Sequence, residues 1–248
     1  MFYTRTMYIV TGASSGIGRA TARALIQRDQ EVVVVARSAD PLRALGALAP
    51  NGCTVVTADL ASARGIESVR KAVRDRAKIA GIVHAAGSTI APTRYQALQR
   101  GALADDMAVH VSAPIALNSA LEAQLAGGRV VYVDSYSASI PRAGWSGYSI
   151  VKAAAQMAAR AAAAELKGVD VIRIFPGGVR TPLVDAVLGG PDDLPAVRTF
   201  KALETQGKIV EAHVIGRYIA AVLLDATSAQ LAKRETWTFG NPEDRLKG

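Results

Sequence analysis

Tyr148 and Lys152, four residues apart in Gly147-Tyr148-Ser149-Ile150-Val151-Lys152, are the two side chains whose spacing most directly suggests chemistry. On a helix that interval puts both on one face, close enough for the ammonium to act on the phenol. Free tyrosine titrates near pH 10, so carrying a proton near neutrality calls for roughly a thousandfold gain in acidity, or about 4 kcal/mol. A single cation at about 4 Å, in a medium of effective dielectric near 20, supplies an interaction of that size. On this reading the lysine is a sufficient cause. Ser135, just beyond the β-branched run Arg129-Val130-Val131-Tyr132-Val133, adds a hydroxyl that can hydrogen-bond a carbonyl oxygen as negative charge builds there. Together the three make a site for reducing a carbonyl or for the reverse oxidation. A Tyr-x-x-x-Lys alone is a common accident of a helical surface, so the elements that position it decide its meaning.

Those elements begin at Met7-Tyr8-Ile9-Val10, an apolar strand that feeds Thr11-Gly12-Ala13-Ser14-Ser15-Gly16-Ile17-Gly18 and a helix running from Gly16 through Ile26. A strand apolar on both faces belongs at the centre of a parallel sheet. The helix start aims unpaired N–H groups and the positive end of its dipole above the turn, a place that suits a pyrophosphate. Gly12 makes the turn, Gly16 admits the ligand and Gly18 lets helix pack on strand. Downstream, short β-branched runs alternate with alanine-rich helical ones, the pattern of repeated βα units. Strands are predicted near 7–11, 31–37, 53–57, 80–84, 128–134, 169–175 and 235–239. The architecture expected is one α/β domain over 1–248, a doubly wound Rossmann-type fold with a seven-stranded parallel sheet and helices on both faces. Its ligand crevice falls at the carboxyl ends of the first and fourth strands. Residues 182–210, rich in Pro and Gly, read as an insertion that forms a substrate lid.

The Gly-x-x-x-Gly-x-Gly loop, with Ser135 lying 13 residues before Tyr148, resembles the short-chain dehydrogenase/reductase family, and matching segments run through about residues 6–240. The resemblance implies a nicotinamide dinucleotide held at the loop by Gly12, Ser14, Ser15, Gly16, Ile17 and Gly18. It implies that Asp59 and Leu60 meet the adenine and that Ala85, Ala86 and Gly87 lie along its ribose. After the strand ending at Phe175, it brings the Pro176-Gly177-Gly178-Val179 backbone to the carboxamide and Thr181 to phosphate. Tyr148 and Lys152 serve both chemistry and the nicotinamide ribose. Ala36 stands where an NAD-preferring member has an acid, and Arg37 follows it. A charge-assisted bond to a 2′-phosphate is worth roughly 1.5–3 kcal/mol, one to two decades in affinity, so the cofactor expected is NADP(H). The plainer readings are an arginine ending a strand in solvent, Asp59 capping the helix Ser62–Arg76, and an ordinary turn at Gly87.

His84 and His110 occupy positions where the family commonly has asparagine. The second asparagine usually kinks its helix and holds a relay water, so the relay side chain differs here while the central chemistry is intact. Pro114 supports a kink in the helix of about 102–125 in either case. Leu203–Val210 and the closing Trp237–Glu243 resemble the sepiapterin- and benzil-reductase branch.

Composition narrows the rest. The 248 residues carry a net charge of +8, half of them are apolar, and there are one cysteine, Cys53, and three histidines. A lone cysteine forms no internal disulfide, and the scattered histidines suggest no metal cluster. The arginines are spread without a basic helix or aromatic stripe, which reads as a solvated surface with no nucleic-acid partner. No run approaches the roughly 18 uncharged residues of a membrane span and no signal pattern opens the chain, so a cytoplasmic protein is expected. Tyr136, Ile140, Trp145, Val179, Leu183, Val184 and Val187, with Arg142 and Arg180 nearby, suggest a pocket for a small apolar or aromatic ketone or dicarbonyl. The alanine-rich stretch Ala153–Ala164 would let a second helix approach closely, pointing to a homodimer or homotetramer. The activity expected is NADPH-dependent carbonyl reduction; the alternative is an NADP-sensing regulator without turnover, for which His110 and the positive charge are the only features.

Overall fold

A computed structural model describes residues 6–87, 91–241 and 244. The ends of the expected 1–248 span, and Pro242 and Glu243 of its closing segment, lie outside the described residues. In chain order the elements are β1 (Met7–Thr11), α1 (Gly16–Gln27), β2 (Glu31–Ala36), α2 (Ala39–Gly46), β3 (Cys53–Thr57), α3 (Ala63–Ala72) and β4 (Gly81–His84). There follow α4 (Arg100–Met107), a π-helical turn (Ala108–Ser112), α5 (Ala113–Ala120), α6 (Glu122–Leu125), β5 (Arg129–Val133), α7 (Ser146–Glu165), β6 (Asp170–Phe175) and β7 (Gly178–Arg180). The chain closes with α8 (Pro182–Leu188), α9 (Pro195–Thr205), β8 (Ile209–Glu211), α10 (Ala212–Asp225), α11 (Ser228–Leu231) and β9 (Thr236–Thr238).

Seven strands form one parallel sheet in the order β3-β2-β1-β4-β5-β6-β9. The order reverses between β1 and β4, which leaves a crevice at their carboxyl ends. Alternation along each strand divides the core. Tyr8, Val10, Val32 and Val34 pack with Leu25 of α1, Leu42 of α2 and Ile219 of α10. Ile9, Val33 and Val130 face the other way, toward Val69 of α3, Leu117 of α5 and Ala159 of α7. Both faces are covered, as the continuous apolar strands require.

Two features depart from the sequence reading. The helix placed at 102–125 is three helical segments joined by a π turn and a break at Leu121. Pro114, in the first turn of α5, has no N–H to give the carbonyl of His110, and the chain widens into the π turn immediately before it. The segment 182–210 is fastened at its base, because β7 pairs with β8 in parallel, Gly178 opposite Ile209 and Arg180 opposite Glu211.

Candidate active site

At the crevice, Thr11 binds β1 to the end of β4. Its hydroxyl donates to the Val83 carbonyl at 3.2 Å and accepts from the backbone N–H groups of Ala85 and Ala86, each at 3.1 Å. Gly12 turns with φ +67°, and a Cβ there would lie 2.5 Å from the Ala85 carbonyl oxygen. At Gly18 a Cβ would lie 2.4 Å from the Gly12 carbonyl oxygen, so turn and helix touch backbone to backbone. A cavity of about 190 Å³ opens above, lined by Gly12, Ser14, Ser15, Gly16, Ile17, Ala85, Ala86, Gly87 and Thr181, with Tyr148 and Lys152 at one end. A second cavity of about 100 Å³ shares Gly12, Ser14, Ala86 and Gly87 and ends at Arg37, Asp59 and Leu60. The two make one trough. Arg37 and Asp59 are exposed in it, and among the described residues Arg37 has no ion pair. A glycine cradle at a helix start, with a carboxylate and a free guanidinium at the far end, fits a phosphorylated dinucleotide.

The other end of the trough is closely packed. Tyr148 and Lys152 are buried on α7, with the ammonium 5.8 Å from the centre of the phenol ring. Lys152 Nζ donates to the Val133 carbonyl at 2.8 Å, and Ser135 hydrogen-bonds the Tyr148 hydroxyl. Trp145 lies flat against the phenol, ring centres 4.2 Å apart and planes 12° from parallel, and Phe200 of α9 meets the indole edge-on at 5.5 Å. Leu194 and Val197 complete this cluster from the 182–210 segment. Burial pushes Tyr148 up to about 12; Ser135 opposes this, while the charges of Asp134 and Asp106 add to it. Burial also pulls Lys152 down to about 8, against the same two carboxylates, which raise it. The lysine is therefore not a sufficient cause of an acidic phenol in the chain alone: desolvation of the phenolate outweighs the help of Ser135. At neutral pH Tyr148 is a loaded proton donor.

Several side chains do other work than the sequence suggests. Ser62, not Asp59, caps α3, accepting from the Gly65 N–H at 3.0 Å, while Asp59 accepts from Ala61 N–H at 3.1 Å. Val179, Val184 and Val187 are buried, Val179 in the sheet core and Val187 in the Trp145 cluster, so their side chains do not line an open pocket. Arg180 is engaged by Asp185 of α8 at 3.2 Å and Glu204 of α9 at 2.6 Å, stapling the two helices. Thr181 lines the trough but its hydroxyl caps α8, accepting from Val184 N–H at 3.3 Å. Pro176 and Gly177 precede β7 and do not line either cavity. Tyr136 and Ile140 are exposed at the rim, Tyr136 edge-on to Phe175 at 4.2 Å.

The family model for short chain dehydrogenase matches residues 6–189. The chain belongs to this family. A 3-oxoacyl-[acyl-carrier-protein] reductase of Synechocystis is 30% identical over 226 residues, covering 83% of this chain and 88% of the relative. A benzil reductase of Bacillus cereus is 23% identical over 231 residues, covering 87% and 92%, in line with the branch suggested by the sequence. A Saccharomyces cerevisiae short chain dehydrogenase/reductase structure aligns with a TM-score of 0.86 at 23% identity, covering 96% of this chain and 97% of the other. Of two further neighbours, a Sphingobium yanoikuyae enzyme holds NADPH (TM-score 0.73, 22% identical, covering 94% and 86%) and a Brucella melitensis 3-ketoacyl reductase holds NADH (0.80, 18%, covering 97% and 98%). By family, this short chain dehydrogenase is an oxidoreductase.

Three buried polar side chains beside the cleft of this dehydrogenase, Asn118, Asp134 and Arg173, escaped the sequence reading. Asn118 accepts from the His84 ring at 2.9 Å and donates to the Tyr132 hydroxyl at 2.9 Å, a buried chain under the cleft floor. Burial pulls His84 down to about 4 and keeps it neutral, although Asn118 opposes that shift. Asp134 and Arg173 form an ion pair at 3.2 Å, each side chain 6% exposed, directly behind Ser135. The signal available was a buried charge in each of two apolar strand ends, Val133-Asp134 and Ile172-Arg173-Ile174.

Proposed function

We propose that this chain is an NADPH-dependent carbonyl reductase acting on a small apolar or aromatic ketone or dicarbonyl, and on the alcohol in reverse. The observation that carries the reading is the meeting of Ser135, Tyr148 and Lys152 at the buried end of a trough whose open end holds an arginine with no ion pair among the described residues. NADPH, when bound, supplies the hydride. Ser135 orients the carbonyl oxygen, and Tyr148 gives that oxygen its proton as negative charge builds on it. Lys152, one turn along α7, favours the phenolate left behind and holds the ribose. Arg37 reads the 2′-phosphate and Asp59 and Leu60 the adenine, with Thr181 on phosphate; the backbone of Pro176, Gly177 and Val179, which lies outside the two cavities, is given the carboxamide by family likeness alone.

The apolar substrate class rests on the rim of Tyr136 and Ile140 and on the engagement of Arg180 within the 182–210 segment, which we take as the lid. The names of the Synechocystis and Bacillus relatives, both reductases of carbonyl compounds, support it. Ile115 of α5 and Ile150 and Met157 of α7 are exposed apolar residues, and we propose that these helices carry a homodimer or homotetramer. Light scattering should report more than one chain per particle, and Met157→Glu should lower that number.

The direct test is NADPH oxidation over a panel of ketones, diketones and quinones, with Tyr148→Phe as control. Carbonyl-dependent turnover in the parent and its loss in the variant are expected. Tight NADPH binding with no turnover in either direction would overturn the reading.

A further inference from the structure

The carboxylate behind the serine accepts hydrogen bonds from three neighbours. Asp134 Oδ1 accepts from the Ser135 N–H at 2.7 Å, which holds the serine extended at φ −151° with its hydroxyl toward Tyr148. Lys152 Nζ binds the carbonyl of Val133, the residue before it. One turn of chain, Val133-Asp134-Ser135, is therefore gripped by the lysine on one side and by its own carboxylate on the other. Asp134 Oδ2 in turn accepts from Gln156 Nε2 at 3.0 Å and from Arg173 Nη1 at 3.2 Å. Arg173, buried in β6, reaches outward with its second nitrogen to Glu235 at 2.8 Å, and Glu235 also accepts from Arg160 of α7 at 2.5 Å. A buried carboxylate stays ionised only where a partner compensates it.

We propose that Arg173 and Asp134 are positioning residues of the reduction: Arg173 holds the Asp134 carboxylate in place, and that carboxylate sets the Ser135 turn and places a negative charge beside Lys152. This rests on the reductase reading of the same site. A small chamber of about 20 Å³, room for one water, lies between them and is bounded by Lys152, Asp134, Gln156 and Arg173. The other titratable groups facing Lys152 are accounted for. His84 of β4 is held neutral, and Tyr132 of β5 is pushed up to about 12 by burial and stays uncharged. His110 of the π turn lines the same chamber. Asp106 of α4 acts on Lys152 in the same sense as Asp134 and is untouched by the variants below.

The test follows the titration of Lys152 by ¹³C NMR of lysine Cε in the full chain, together with the pH profile of NADPH-dependent reduction. Asp134→Asn keeps an oxygen for the Ser135 N–H and removes the charge. It should lower the Lys152 midpoint by about one pH unit and move the alkaline limb of kcat down with it, at unchanged KM for NADPH. Arg173→Leu should do the same and also cut kcat at neutral pH roughly tenfold. If Arg173→Leu does not fold, the pair Asp134→Asn/Arg173→Gln, which restores a neutral hydrogen-bonded contact, should fold and keep the lowered midpoint. A Lys152 midpoint unmoved by Asp134→Asn would overturn the inference. So would a neutral pair that returns both rate and pH profile to those of the parent, the mark of a purely structural role. A shifted midpoint in a parent that reduces no carbonyl would instead sink the reductase reading and leave the electrostatic coupling standing.

Discussion

The two ends of the trough are built on opposite principles. At the open end Arg37 and Asp59 stand in solvent at strand ends, each acting by its own charge. At the closed end Tyr148, Lys152, Asp134, Arg173 and His84 are all buried, and each is held by partners from other parts of the chain. A residue that works alone in water carries its meaning in its type and position. A residue that works in a desolvated cluster takes its meaning from partners far away in the chain, and Asp134 and Arg173 are 39 residues apart.

That contrast can be broken at four points. Tyr148→Phe should lower carbonyl reduction by about 10²–10⁴-fold, the range of a lost proton donor, while NADPH binding measured by calorimetry stays within a few-fold of the parent. Comparable losses in binding and rate would mean that the ends are not separable. The next effect is on stability. His84 is neutral in the fold, pulled down to about 4, whereas in the unfolded chain it has an ordinary midpoint near 6.5. Between those values the unfolded state binds more protons, so the stabilisation is complete above pH 6.5 and about 3 kcal/mol is lost as pH falls to 4. Urea unfolding of the cofactor-free chain should show this slope, and His84→Asn should flatten it.

At the open end the expected change is in affinity. Arg37→Ala should weaken NADPH by about 10- to 100-fold, leave NADH unaltered, and so erase the larger thermal shift that NADPH gives the parent. An equal or reversed ranking of the two cofactors in the parent would remove the 2′-phosphate from Arg37. The smallest effect is the control: with no cofactor, Arg37→Ala should change unfolding stability by less than about 0.5 kcal/mol, because the side chain is exposed and has no ion pair among the described residues. A larger change would show that the open end is also a packed cluster.

The same division explains how much was legible in the sequence. The strands came within a residue or two at each end, 31–37 against Glu31–Ala36 and 235–239 against Thr236–Thr238, because the central strands are apolar runs buried on both faces and the edge strands are rich in β-branched residues. The glycine loop was legible because close backbone approach admits no other residue at Gly12 or Gly18. The acidity of Tyr148 was not, because spacing along α7 gives the distance to Lys152 but not the dielectric that Trp145 and Phe200 impose. Nor was the π turn, since Pro114 announces a lost hydrogen bond without saying how the chain will absorb it. Sequence position put Arg180 near the pocket but could not show that Asp185 of α8 and Glu204 of α9 engage both its terminal nitrogens.

The stacking of Trp145 between Tyr148 and Phe200 also gives this molecule an optical reporter in the right place. The chain has two tryptophans, and the other, Trp237, sits in the edge strand β9 under Arg234 at 5.3 Å. Indole emission overlaps the near-ultraviolet absorption of a reduced nicotinamide, so in a Trp237→Phe background the remaining fluorescence would dim as cofactor fills the trough and change again as α9 lifts from the ring. Filling and opening could then be timed separately, in one cuvette, without a label.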